Sequence, residues 1–431
     1  MIRRVTSLVT LVLTMLLLHP LEIRLLAQTP TEIPREWIDP DTGHRVIRLS
    51  DEPGSASLYF HQNAYTPDGE KLIITTPTGL STINLKTRAI EKVVDGRVNV
   101  IVTGRKTGQV YYVKDRSTVY ATDLNTHTTR EIAKLPPRAS ISTVNADETL
   151  LGGSITEGGP STAQNSRPAE TPSRDPAPDA PIAPRGDNYP GKGAMMEQRL
   201  AARIPMQLIT VSTKTGEVKT LLRSTDWLNH IQFSPTDPTL LMFCHEGPWH
   251  KVDRTWTIRT DGSGLMQIHH RTINMEIEGH EFFSGDGKMI WYDLQTPRSQ
   301  VFWLAGYNVS TGERTWYNLQ RSEWSVHFNV SPDGQLFAGD GGGPDSVAAP
   351  GNGQWIYLFR PQMTPDRTDG TLPNSKELIK PGYFKAEKLV NLARHNYRLE
   401  PNVTFTPDMK WIVFRSNMFG PTHVFAVEVT K

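Results

Sequence analysis

The stretch His327-Phe328-Asn329-Val330-Ser331-Pro332-Asp333-Gly334 decides how this chain is read. A polar side chain opens it, and five residues on stands the proline of a Ser-Pro-Asp-Gly turn. The same register recurs in HIQFSPTD from His230, QNAYTPDG from Gln62 and NVTFTPD from Asn402; in HEFFSGDG from His280, Gly285 takes the proline's place. After each turn comes an apolar, β-branched or aromatic run such as KLIITT, TLLMFC, KMIWYD, QLFAGD or KWIVFR. Asp-Gly and Thr-Gly pairs then supply the positive-φ positions that tight hairpins require. Unit starts fall near residues 62, 100, 141, 230, 280, 327 and 402. Most spacings are about 40–50 residues, the span of a four-stranded blade. The fold class expected is all-β, a seven-bladed β-propeller, with the segment after Trp37 or the C-terminal strand closing the ring. A sandwich does not explain one turn recurring at one offset.

If the units stand around an axis, their register residues gather at one end of it. Three imidazoles (His230, His280, His327) with Gln62 and Asn402 would then converge, and Asn329 would point to the same side as His327. Imidazole with carbonyl or carboxylate oxygen suits a divalent transition metal or acid–base work. A second group lies in CHEGPWHKVD, where His245, Glu246 and His250 follow a strand. Its i, i+5 histidine spacing is not that of a helical zinc-protease motif. The chain has no G-x-S-x-G elbow for a serine hydrolase.

The chain has 431 residues, 37% of them hydrophobic, with a formal net charge of +1. It therefore carries no nucleic-acid or anionic-lipid footprint. Any acidic ligand has to be held by local positive charge. Cys244 is the single cysteine, which excludes a disulfide framework and places it in a core strand. Arg3 and Arg4, an apolar Val5–Leu18 and a small residue at Ala27 read as a signal peptide over 1–27, with periplasmic or secreted localisation. The propeller is expected over 28–431, with no membrane span after signal removal. A Pro/Ser/Ala-rich insertion at 157–193 cannot bury a core. The segment AMMEQRLAARIPMQ that follows it has helical spacing, with Arg199 and Arg203 on one face.

The segments LNHIQFSPTDPTLLMFCHEGPWHKVD, GHEFFSGDGKMIWYD, EWSVHFNVSPDGQLFAGDGGG and YRLEPNVTFTPDMKWIVFRSNMFGPTHVFAVEV together resemble the oligogalacturonate lyase family. The resemblance implies a seven-bladed propeller that cleaves short oligogalacturonides, fragments of pectin, by β-elimination. It implies a histidine base, an assisting arginine and a divalent metal, Mn²⁺, on the uronate carboxylate. His280 and His327 match the family's metal-histidine blocks. The family's further histidine and glutamine ligands are not matched, since Asn329 and Trp324 stand there; Asn329, Glu323 and Gln62 are the replacements considered. For the base, His230 has the register and His245 the CHEGP block, with His230 preferred. Arg203 is the candidate arginine. The rival reading is a non-enzymatic, TolB-like propeller that binds a sugar or protein partner.

Overall fold

The computed structural model describes residues 33–158, 192–344, 346–365 and 372–431. The signal-peptide segment, and the insertion from 159 to 191, lie outside the described residues. Arg35–Lys431 forms one compact unit.

The repeat is a blade. Four sheets have four strands each, one has five, and one has eight. The eight-stranded sheet is two blades joined edge to edge, where Thr315–Asn318 of one pairs in parallel with Lys380–Tyr383 of the next. Six sheets therefore make the seven blades of a β-propeller. The innermost strands, in order, are Ala56–Ser57, Asn99–Thr103, Ala139–Val144, Trp227–Phe233, Ile277–Phe283, Phe328–Val330 and Thr404–Phe405. We number the blades 1 to 7 in that order.

Both chain segments expected to close the ring share the task. Blade 7 runs from Thr404–Phe405 through Trp411–Ser416 and His423–Glu428. Arg45–Arg48 and Glu36–Ile38 then add its outer strands. Trp37 packs edge-on against Phe419 and Phe425, fixing the incoming segment to the C-terminal strands. This closure removes the open sheet edges that a linear array would present.

The recurring turn has a chemical cause. In blade 6 the Ser331 hydroxyl donates to Asp333 Oδ1 (2.5 Å) and accepts from the Leu336 amide (2.9 Å), while Gly334, at φ +72°, donates to Ser331 O. Thr66–Asp68–Gly69 and Ser284–Asp286–Gly287 repeat the pattern. Hydroxyl, carboxylate and a left-handed residue together close the hairpin locally. The register residues Gln62, His230, His280, His327 and Asn402 thus all stand at one fixed distance upstream of the turn.

Upstream of the turn, the inner strands of blades 4 and 5 carry β-bulges. Pairing slips between Asn229 and Gln232 and between Gly279 and Phe282. The residues in the slips, His230 and His280, sit at φ +46° and +48°, and the matching Asn402 at +55°. Left-handed backbone is uncommon for histidine. Bulges of this kind re-aim side chains at functional sites.

Candidate metal and acid–base centre

Two histidines are braced alike. His280 Nδ1 lies 2.8 Å from Asp293 Oδ1, and His327 Nδ1 lies 2.8 Å from Asp340 Oδ2. Both aspartates are buried. A carboxylate at Nδ1 holds the proton there and leaves Nε2 with its lone pair, the usual support for a metal-binding imidazole. The two rings meet edge to face, centroids 4.7 Å apart. Burial works to lower the pKa of His327, but the Asp340 carboxylate outweighs it and raises it. This donor chemistry is of a kind that fits a divalent ion, which His280 and His327 would hold.

His230 is held differently. Its Nε2 lies 3.2 Å from Glu246 Oε2, and the same carboxylate oxygen accepts from Asn229 Nδ2 at 2.7 Å. Behind Glu246, Arg254 lies fully buried, with Nε 3.0 Å from Glu281 Oε2 and Nη1 3.9 Å from Glu246 Oε1. Burial would raise the Glu281 pKa; Arg254 above all, and His230 with it, brings it down to about 2. His230, Cys244 and Glu246 also place ligand atoms within 4.8 Å of one another. Burial, however, raises the Cys244 thiol well above its usual pKa, and the Arg254 guanidinium repels a cation from that spot.

Sequence reasoning missed the lid of this centre, the segment Tyr59-Phe60-His61. The Tyr59 hydroxyl lies 3.2 Å from His327 Nε2, and the Tyr59 ring stands 6.4 Å from that of His230 and 5.0 Å from that of His61. Burial, with His230 adding to it, pushes the His61 pKa down to about 3, so this imidazole is neutral. The register pointed to Gln62, one residue along. What signal there was lay in two aromatics followed by a histidine immediately before it.

The remaining expected residues have other duties. Gln62 Oε1 accepts from Tyr59 N (3.0 Å) while its Nε2 donates to Ile101 O (2.8 Å). Asn329 Nδ2 donates to Phe60 O (3.2 Å), and its Oδ1 accepts from Phe405 N (3.0 Å). Asn402 Oδ1 accepts from Phe60 N (3.2 Å), and its Nδ2 donates to Glu400 O (2.9 Å). Asn329 and Asn402 thus grip both backbone groups of Phe60. Glu323 Oε2 accepts from Gln320 N (2.9 Å) at the start of a short 3₁₀ turn, Arg321–Glu323. Trp324 is buried under the Arg321 guanidinium.

His245 and Arg203 meet at a third residue, Asp226. Arg203 Nη1 bonds Asp226 Oδ1 at 2.6 Å, and His245 Nδ1 lies 3.8 Å from Asp226 Oδ2. His245 packs against Phe243 and Trp256, the alternate face of its strand from Cys244 and Glu246. Arg203 is 57% exposed. The other arginine of the expected helix is better placed. On Lys192–Ala202, Met196 is buried with Trp249 and Ile277. One turn on, Arg199 lies over Trp227, 4.3 Å from the ring centre, within the electrostatic reach of Glu246. His250 is half-buried in the neighbouring loop.

The sequence model of a family described as Oligogalacturonate lyase matches residues 197–360, a window holding Arg199, His230, Glu246, His280 and His327. The resemblance to the oligogalacturonate lyase family holds. An oligogalacturonate lyase of Dickeya dadantii is 25% identical over 422 residues, covering 91% of this chain and 95% of the relative. An oligogalacturonide lyase of Pectobacterium atrosepticum is 27% identical over 240 residues, 52% of this chain and 55% of the relative. Both relatives are named as lyases. Two solved structures share the fold. An oligogalacturonate lyase from Vibrio parahaemolyticus has a TM-score of 0.71 at 22% identity, and an oligogalacturonate lyase in complex with manganese 0.70 at 21%. Each alignment covers 92% of this chain and 96% of the other.

Proposed function

We propose that this protein cleaves short oligogalacturonides by β-elimination, with His230 as the base. The observation that carries the reading is a proton-handling pair, His230–Glu246, standing across Tyr59 from two carboxylate-braced imidazoles, His280 and His327.

In a uronate residue the C5 proton is acidified by the adjacent carboxylate. With Glu246 accepting from Nε2, His230 keeps its lone pair on Nδ1, and that atom takes the proton. The electrons left at C5 form the C4=C5 double bond, the C4–O bond breaks, and the departing oxygen takes up a proton. A divalent ion held by His280 and His327, Mn²⁺ by preference, would draw charge from the uronate carboxylate. Arg199 supplies a fixed positive charge from the helix above; Arg203 is the alternative, held by Asp226. Whole-molecule charge is near zero, so these local cations must recognise the acidic sugar.

The test is the ultraviolet absorbance of a 4,5-unsaturated uronate, followed with digalacturonate and Mn²⁺. Accumulation supports the reading; a flat trace with every uronate oligomer, metal supplied, sinks it. Localisation in the periplasm belongs to the same proposal, supported by the basic and apolar run before Gln28. A mature protein that retains residues 1–27 in an expressing cell would refute it.

A further inference from the structure

We propose that Glu400 is the anionic ligand of the divalent-metal site formed with His280 and His327, and that the amides of Gln62, Asn329 and Asn402 are its scaffold. The inference rests on the metal-assisted reading above and names a residue outside the segment matched by the family.

His327 is fully buried, and its Nε2 has two neighbours: the Tyr59 hydroxyl at 3.2 Å and Glu400 Oε2 at 3.9 Å. With Nδ1 committed to Asp340, Nε2 presents a lone pair. A carboxylate oxygen and an imidazole nitrogen 3.9 Å apart can share a cation, either a proton or a metal ion. Ligand atoms on an octahedral ion about 2.1 Å away sit about 3 Å apart. The phenol oxygen of Tyr59 borders the same space.

The backbone around Glu400 is built to hold it there. Its carbonyl accepts from Asn402 Nδ2 (2.9 Å) and from Arg415 Nε (2.8 Å). Asn402 in turn donates its amide N–H to Asp340 Oδ2 (3.1 Å), the same oxygen that holds His327 Nδ1. One aspartate therefore sets the positions of both His327 and the Glu400 loop. The amides are spent on this framework: Gln62 and Asn329 each use both ends on backbone groups, and Asn402 does the same. The Glu400 side chain, 30% exposed, keeps a route for ion exchange. A carboxylate with two imidazoles is a harder ligand set than imidazole with amide, and favours Mn²⁺ or Fe²⁺.

The experiment is Mn²⁺ binding to the purified full chain, read by electron paramagnetic resonance of the free ion, with no substrate present. Glu400→Gln keeps the shape and removes the charge. It should weaken Mn²⁺ binding at least as much as loss of an outer partner, about 10–100-fold. Glu400→Asp, which keeps the charge on a shorter arm, should fall between it and wild type. Glu323→Gln should bind as wild type does. Wild-type affinity in Glu400→Gln, or no Mn²⁺ binding by the wild type, overturns the inference. The lyase assay is scored separately. Unsaturated product with unchanged Mn²⁺ affinity in Glu400→Gln leaves the enzyme reading standing and removes Glu400. Weakened Mn²⁺ binding without product from any uronate keeps the metal site and removes the lyase.

Discussion

His280 and His327 come from adjacent blades, yet their rings meet edge to face at 4.7 Å, each braced by a buried aspartate, Asp293 on the next strand of its blade and Asp340 just past the end of the next strand of the other. The two units are alike in outline: a histidine in the register position and an acid thirteen residues on. A repeat has thus been used twice to make one site. The two blades differ in how the histidine is presented, through a left-handed bulge in one and an aspartate-capped backbone N–H in the other.

Replacing His280 or His327 by alanine should abolish tight Mn²⁺ binding while the β circular dichroism of the protein is retained. Both side chains serve the site rather than the cores between blades. Full metal occupancy in both variants, measured by mass spectrometry, would refute their role.

The two supporting aspartates should part company in stability. Asp293→Asn removes one imidazole partner, whereas Asp340→Asn also disturbs the backbone amides of His327 and Asn402. Leaving buried donors without acceptors costs about 1–3 kcal/mol each. Urea unfolding should therefore show the larger loss for Asp340→Asn. Equal midpoints would contradict this account of the pinning.

His230→Ala should stay metal-replete and lose about 10²–10⁴-fold in kcat, the share of a general base. His245→Ala should show a mild defect, because His245 faces Phe243 and Trp256 on the other side of its strand. Near-native turnover in His230→Ala with a dead His245→Ala would reverse the assignment. Metal loss in His230→Ala would move His230 into the coordination sphere.

Arg199→Ala should raise KM or lower kcat on uronate substrates much more than Arg203→Ala, whose guanidinium is exposed on Asp226. An exposed pair of that kind is worth about 0–1 kcal/mol. Steady-state kinetics on digalacturonate decides between them.

Acid should weaken the fold through Glu281. Burial alone would raise its pKa, but Arg254 and His230 bring it down to about 2, below the unfolded value. The stability it contributes is present above about pH 4–5 and is lost as pH falls from there toward 2. Glu281→Gln should therefore flatten the acid limb of the stability curve. At neutral pH it should cost up to about 3–5 kcal/mol by leaving the buried Arg254 with only the more distant Glu246 as its partner. Urea titrations at a series of pH values measure both.

The propeller, its seven units, the ring closure near Trp37 and a helix carrying Arg199 were legible in the sequence, although that helix ends at Ala202 and leaves Arg203 just past it at φ +44°. Each depends on local chemistry that repeats: a hydroxyl–Pro–Asp–Gly turn, a period-two strand, a helical spacing. So was the contact of His280 with His327, because equal register in equivalent blades puts side chains at one end of one axis. The use of the register amides was not legible. Gln62, Asn329 and Asn402 share the polarity of a ligand set, but whether an amide faces a cation or a neighbouring backbone depends on loops far away in sequence. Phe60, gripped by Asn329 and Asn402, is hundreds of residues from both. The same holds for Tyr59 and Glu400, which reach His327 from opposite ends of the chain. Sequence periodicity specifies where each blade aims its first residue. Only closing the ring, which brings blade 7 against blade 1, decides which of those residues hold one another and which are left for chemistry.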